Sequence, residues 1–139
     1  MQSLISYSVW AVSIVATLGS LFFSEIRGFV PCTLCWYQRI LMYPLVLIIF
    51  MGIYTKDKSF PKYVLPLSIL GGAISLYHYL LQQGVITASA TCEFGATCAY
   101  KFVNYLGFIT IPFMALSAFT LISIGMFYLL KSGQPASQA

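Results

Sequence analysis

Charge is what this sequence has least of. Asp and Glu together number three, Lys and Arg seven and His one, so 7% of the 139 residues are charged, against about 25% in a soluble domain. That is too little polar material to coat a soluble globule of this length. Three scattered acids offer no paired carboxylates, and the single histidine has no Ser–His–Asp set around it. No glycine-rich phosphate loop is present, so hydrolysis and phosphoryl transfer lack their machinery. The basic residues give a net charge of +4 but form no run or patch, and no nucleic-acid partner is expected. Disorder is excluded by a hydrophobic fraction of 60%. Internal repeats and low-complexity tracts are also missing.

What the sequence has is long apolar runs. A hydrocarbon core about 30 Å thick takes about 20 helical residues per crossing. Four segments fit, at residues 4–23, 33–54, 64–82 and 106–130, broken only by Arg39 in the second and His78 in the third. The alternation of barrel strands is absent. The fold expected is an all-α membrane protein, an antiparallel four-helix transmembrane bundle forming one domain over residues 1–139. Gly71, Gly72, Ser117 and Gly125 are small residues suited to close helix approach. Pro44 and Pro112 are expected inside spans two and four, kinking both. The first span lacks Lys and Arg at its amino end and is long for a signal peptide, so it reads as a retained helix.

Lys56, Lys58 and Lys62 lie between spans two and three and Lys131 follows span four, whereas loops one and three carry only Arg27 and Lys101. This bias puts both termini and the loop at 55–63 in the cytoplasm, with the loops at 24–32 and 83–105 outside. Whatever the orientation, loops one and three share a side, because two spans separate them.

All four cysteines fall on that side: Cys32 and Cys35 as C-x-x-C, then Cys92 and Cys98 as C-x5-C. Outside the cytoplasm thiols tend to be oxidised. As staples the pairs are weak, because rings of four and seven residues stabilise by about 1.9 and 2.4 kcal/mol in the chain-entropy model. A link between the two loops would give about 4.3 kcal/mol. Short pairs suit thiol–disulfide exchange instead, although structural stapling stays open on spacing alone. Zinc is disfavoured, since C-x5-C exceeds the usual ligand gap and the compartment is oxidising.

Pro31 places the C-x-x-C at a helix start, where unpaired N–H groups stabilise a thiolate. Arg39 lies one turn beyond Cys35, and burying its charge demands a partner unless it snorkels to the headgroups. Arg39 is about 9 Å and His78 about 7.5 Å below the outer surface at 1.5 Å per residue. Thiol, cation and imidazole are thus expected to cluster near Cys35, where they could polarise the carbonyl oxygens of a membrane quinone. Alternatively, His78 is a hydrogen-bonded bundle residue. Trp36, Tyr37, Tyr77 and Tyr79 read as interfacial aromatics, and Glu25 and Glu93 as solvated loop acids.

The stretch Ser24–Glu25–Ile26–Arg27, followed after Pro31 by Cys32–Thr33–Leu34–Cys35–Trp36–Tyr37–Gln38–Arg39–Ile40, resembles the DsbB family of disulfide-generating membrane oxidoreductases, especially its compact Gram-positive BdbC branch. The likeness covers nearly the whole chain. It implies a relay in which a reduced thioredoxin-like protein of the DsbA or BdbD kind passes electrons to Cys92 and Cys98, then to Cys32 and Cys35, and finally to a quinone. Such a route to quinone is known to keep the bacterial periplasm oxidising. By the same resemblance Cys35 faces the quinone with Arg39 and His78, Cys92 takes the mixed disulfide with the partner, and Cys98 then attacks Cys32. Menaquinone is expected over ubiquinone. Loop three departs from the larger relatives, whose cysteines are further apart; Gly95 gives the short ring its freedom to close.

Three other readings compete. Vitamin K epoxide reductase-like enzymes also have four helices and two cysteine pairs, but with the loop pair first. A tetraspan adaptor with structural disulfides would need no redox partner. Small multidrug transporters depend on an acid in the first helix, and residues 4–23 contain none.

Overall fold

The computed structural model describes residues 2–28, 33–85 and 110–132. Four helices, α1 (Gln2–Leu21), α2 (Thr33–Tyr54), α3 (Phe60–Gln82) and α4 (Ile111–Ser132), are joined to no strand among these residues, and α1 continues as a π-helical turn at Phe22–Ile26. All four are long and apolar enough to cross a bilayer. Neighbours in sequence pack together, and α4 closes the ring against α1. This is the expected all-α four-helix bundle.

Helix is forced on these segments because a bilayer offers no partner for backbone N–H and C=O groups. The core is apolar, with Leu45, Ile49, Val64, Phe119, Ile122 and Met126 essentially inaccessible. Two of the expected small residues create close approaches. A Cβ on Gly71 would enter the Phe119 ring, and one on Gly125 would meet the Val9 methyl. Gly72 and Ser117 do not act this way. A Cβ on Gly72 meets only an ordinary 3.7 Å contact, and Ser117 is exposed, its hydroxyl donating to the Phe113 carbonyl at 2.9 Å. A polar link joins α4 to α3 inside the bundle, from the Ser123 hydroxyl to Ser68 Oγ at 2.9 Å, with Ser68 donating in turn to Leu65 O.

Pro112 does not lie in a helix interior. Because α4 starts at Ile111, it occupies the first turn, where its missing N–H costs no helical bond. The helix-interior prolines are Pro44 in α2 and Pro66 in α3, and both helices run on past them. The third helix begins at Phe60 rather than near 64, with Pro61 in its first turn. Two helix ends share one cap. Gly84 (φ 78°) closes α3 with bonds from Gly84 N to Leu81 O and Val85 N to Leu80 O. Lys56 (φ 54°) closes α2 in the same way, through Lys56 N to Ile53 O and Asp57 N to Gly52 O.

Candidate active site

The site grows from the first two turns of α2. Cys35 is the third residue of that helix, and helical spacing puts Gln38, Arg39 and Met42 on the same stripe. All four border a cavity of about 630 Å3 enclosed by α1, α2 and α4. The cavity lies between α1 and α4, on the Cys35 side of a close approach of the two helices. That approach is at Val9 and Gly125. From there Ala11, Val15, Ala16 and Gly19 of α1 face Met114, Ser117, Ala118 and Leu121 of α4. Val15 and Leu121 are 70% and 55% exposed, so they form the rim of a side opening toward the lipid. Nothing lies within 4 Å of a Cβ built on Gly19; the missing side chain is part of the space.

Arg39 has the partner its burial demands, and that partner is a serine on α1. Its Nε donates to Ser20 Oγ at 3.0 Å and its Nη2 to Ser20 O at 3.1 Å. Its guanidinium carbon stands 5.5 Å from the Trp36 ring centroid, a cation–π distance. The carbonyl it captures lies two residues before α1 loosens into the π turn. A side chain bonding into the helical ladder is a recognised cause of such a local change.

His78 does not join Cys35 and Arg39 on the cavity wall. It is 1% exposed on α3, and among the described residues the wall belongs to the other three helices. Gln38, buried at 6% exposure, lies between. Its amide Nε2 is 3.2 Å from His78 Nδ1. The expected trio of thiol, cation and imidazole is therefore a trio of thiol, cation and carboxamide, with the imidazole behind the carboxamide. Gln38, Ser20 and Gly19 were not singled out by sequence reasoning. A polar amide three residues after Cys35 in an apolar span was the available signal for the first, whereas the other two depend on how α1 docks. Cys32, Cys92 and Cys98, with Glu93 and Gly95, lie outside the described residues. No group of three or more potential metal ligands occurs among the described residues.

The aromatics divide. Trp36 and Tyr37 are exposed, as expected of interfacial residues, whereas Tyr77 and Tyr79 are partly buried, with Tyr79 packed on Phe113 at 5.6 Å between centroids.

Comparison with known proteins agrees with this architecture. Residues 2–129 match the family described as "Disulfide bond formation protein DsbB". "Disulfide bond formation protein C" of Bacillus subtilis (strain 168) is 53% identical over 121 residues, covering 86% of this chain and 88% of the relative. "Probable disulfide formation protein C 1" of Bacillus anthracis is 44% identical over 127 residues, 91% of each chain. The "SPbeta prophage-derived disulfide bond formation protein B" of Bacillus subtilis (strain 168) is 46% identical over 123 residues, covering 87% and 82% respectively. No solved structure gives a significant match. A multi-pass helical bundle with Cys35 in the first turn of α2, matched along almost its entire length, belongs to the DsbB family of membrane disulfide oxidoreductases.

Proposed function

We propose that this protein reoxidises an extracytoplasmic thioredoxin-like protein of the DsbA or BdbD kind and delivers the electrons to a membrane quinone, menaquinone in preference to ubiquinone. The observation that carries this reading is the shared wall. Cys35 and Arg39 border one largely apolar cavity that opens sideways between α1 and α4. Its volume, about 630 Å3, lies within the range of small-molecule sites, and a lipid-soluble ring needs such a side opening.

When bound, the quinone accepts two electrons and two protons as its two carbonyls become hydroxyls. The protein's own part is thiol chemistry. The partner's two thiols become a disulfide as the Cys92–Cys98 disulfide opens to thiols. Those re-form their bond at the expense of the Cys32–Cys35 disulfide, and the resulting Cys32–Cys35 dithiol loses two S–H bonds and gains one S–S bond. Each exchange conserves electrons and protons, which leave the protein only at the last step. Arg39, clamped on Ser20, holds a fixed positive charge on the cavity wall it shares with Cys35, where it favours negative charge on an oxygen bound there. In this scheme both termini and the Lys56–Lys62 loop are cytoplasmic, and the cysteine loops face outward.

The test is to mix purified protein with a reduced thioredoxin-like partner and a soluble quinone and to follow quinone absorbance. Turnover should be lost in Cys35→Ser. Unchanged turnover would remove Cys35 from the role. In Cys98→Ser, Cys92 should accumulate as a mixed disulfide with the partner.

A further inference from the structure

We infer that Gln38 is the residue that hydrogen-bonds the oxygen of a quinone bound in the cavity, and that His78 is a positioning residue acting through Gln38. This rests on the quinone reading above and assigns the polar side of its site.

The argument starts from placement. Gln38 borders the cavity, and His78 does not. Both are buried, and the link between them is a single hydrogen bond of 3.2 Å from Gln38 Nε2 to His78 Nδ1. An amide nitrogen carries two hydrogens and offers no lone pair, so Gln38 donates and Nδ1 accepts. That direction fixes the imidazole as the tautomer with its hydrogen on Nε2. It also fixes the carboxamide, whose terminal torsion is otherwise broad and roughly two-fold. One N–H is committed to His78. The other N–H and the carbonyl oxygen remain for the cavity. A carboxamide so held can donate to a carbonyl oxygen and accept from a hydroxyl, which suits a site that must hold both the oxidised and the reduced form of one ring. Arg39, with no acceptor atom, can serve only the first of these.

The chain contains one histidine, so 15N-histidine labelling reports His78 alone. The experiment uses the full-length protein with Cys35→Ser to prevent turnover, and menadione as probe. In the parent, Nδ1 should give the signal of an unprotonated acceptor. Gln38→Glu removes the donor while keeping the size, and should move the hydrogen to Nδ1. Menadione dissociation constants, from tryptophan fluorescence, should rise roughly tenfold in Gln38→Met, the scale of one lost hydrogen bond. His78→Leu should give a similar or smaller rise, and adding it to Gln38→Met should change nothing further.

An equal loss from His78→Leu in both backgrounds would mean the imidazole acts independently and would overturn the inference. So would unchanged affinity in Gln38→Met. If His78→Leu does not fold, the Gln38→Glu tautomer change and the Gln38→Met affinity still decide the matter. Loss of the tautomer change, or of the Gln38→Met effect, overturns the inference alone and leaves the quinone reading intact. Failure of the parent to bind menadione would sink both.

Discussion

Arg39 gives both of its hydrogen bonds among the described residues to one residue, Ser20, at 3.0 and 3.1 Å. A cation inside an apolar span is here held by a hydroxyl and a backbone carbonyl of the neighbouring helix, without a carboxylate. Among the described residues no carboxylate pairs with it, and its direction is set by the fork of the guanidinium. If this clamp positions Arg39 for the proposed acceptor, Ser20→Ala should raise the quinone KM about three- to tenfold with kcat nearly unchanged, since a neutral hydrogen bond contributes about 0.5–1.5 kcal/mol. Arg39→Lys should cost more, because an ammonium cannot span the two acceptors with the same geometry. Steady-state quinone reduction measures both.

Gly19 offers a way to fill the cavity without disturbing the bundle. A side chain there meets nothing within 4 Å at its first carbon and extends into the space bordered by Cys35 and Arg39. Gly19→Leu is expected to preserve the melting temperature in detergent and to raise the quinone KM at least tenfold, about the effect of 1.4 kcal/mol. Gly19→Ala should be close to neutral in activity and slightly stabilising, since Gly in a helix costs about 1 kcal/mol relative to Ala.

Gly71 should behave in the opposite way. Its Cβ would enter the Phe119 ring, which is 1% exposed in the middle of the core, so Gly71→Ala should destabilise by about 1–3 kcal/mol. Phe119→Leu in the same chain should recover part of that loss. Gly72→Ala, with its ordinary 3.7 Å contact, is the control and should be nearly silent. Thermal unfolding of the four proteins in one detergent compares them.

Lys56 occupies the left-handed position that Gly84 occupies at the end of α3. A side chain there strains the backbone, and the cost is about 1–2 kcal/mol for an L-residue. Lys56→Gly is therefore expected to raise stability by about 0.5–1 kcal/mol, part of the gain being offset by the greater freedom of glycine in the unfolded chain. Thermal unfolding reads the change.

The spans were legible because a bilayer tolerates little besides apolar helices, so hydropathy determines both their number and their approximate limits. Where Pro112 fell was not legible. The run from 106 to 130 is uncharged throughout, and only local hydrogen bonding shows that the helix starts at Ile111. The need of Arg39 for a partner followed from the cost of its charge, but the identity of Ser20 did not, because it depends on how α1 lies against α2. Equal depth of Arg39 and His78 suggested one cluster. Depth along a helix says nothing of the face, however, and α2 turns Arg39 toward α1 while Gln38 meets α3. Gln38 went unremarked because a neutral amide inside a cysteine motif draws less attention than a charge.

Because the mouth of the cavity lies along the flank of the bundle, between Val15 and Leu121, the pool that would feed it is two-dimensional. The concentration that matters is then the mole fraction of oxidant dissolved among the acyl chains. A cell could retune this step by changing the membrane's redox stock, without any change in how much of the protein it makes.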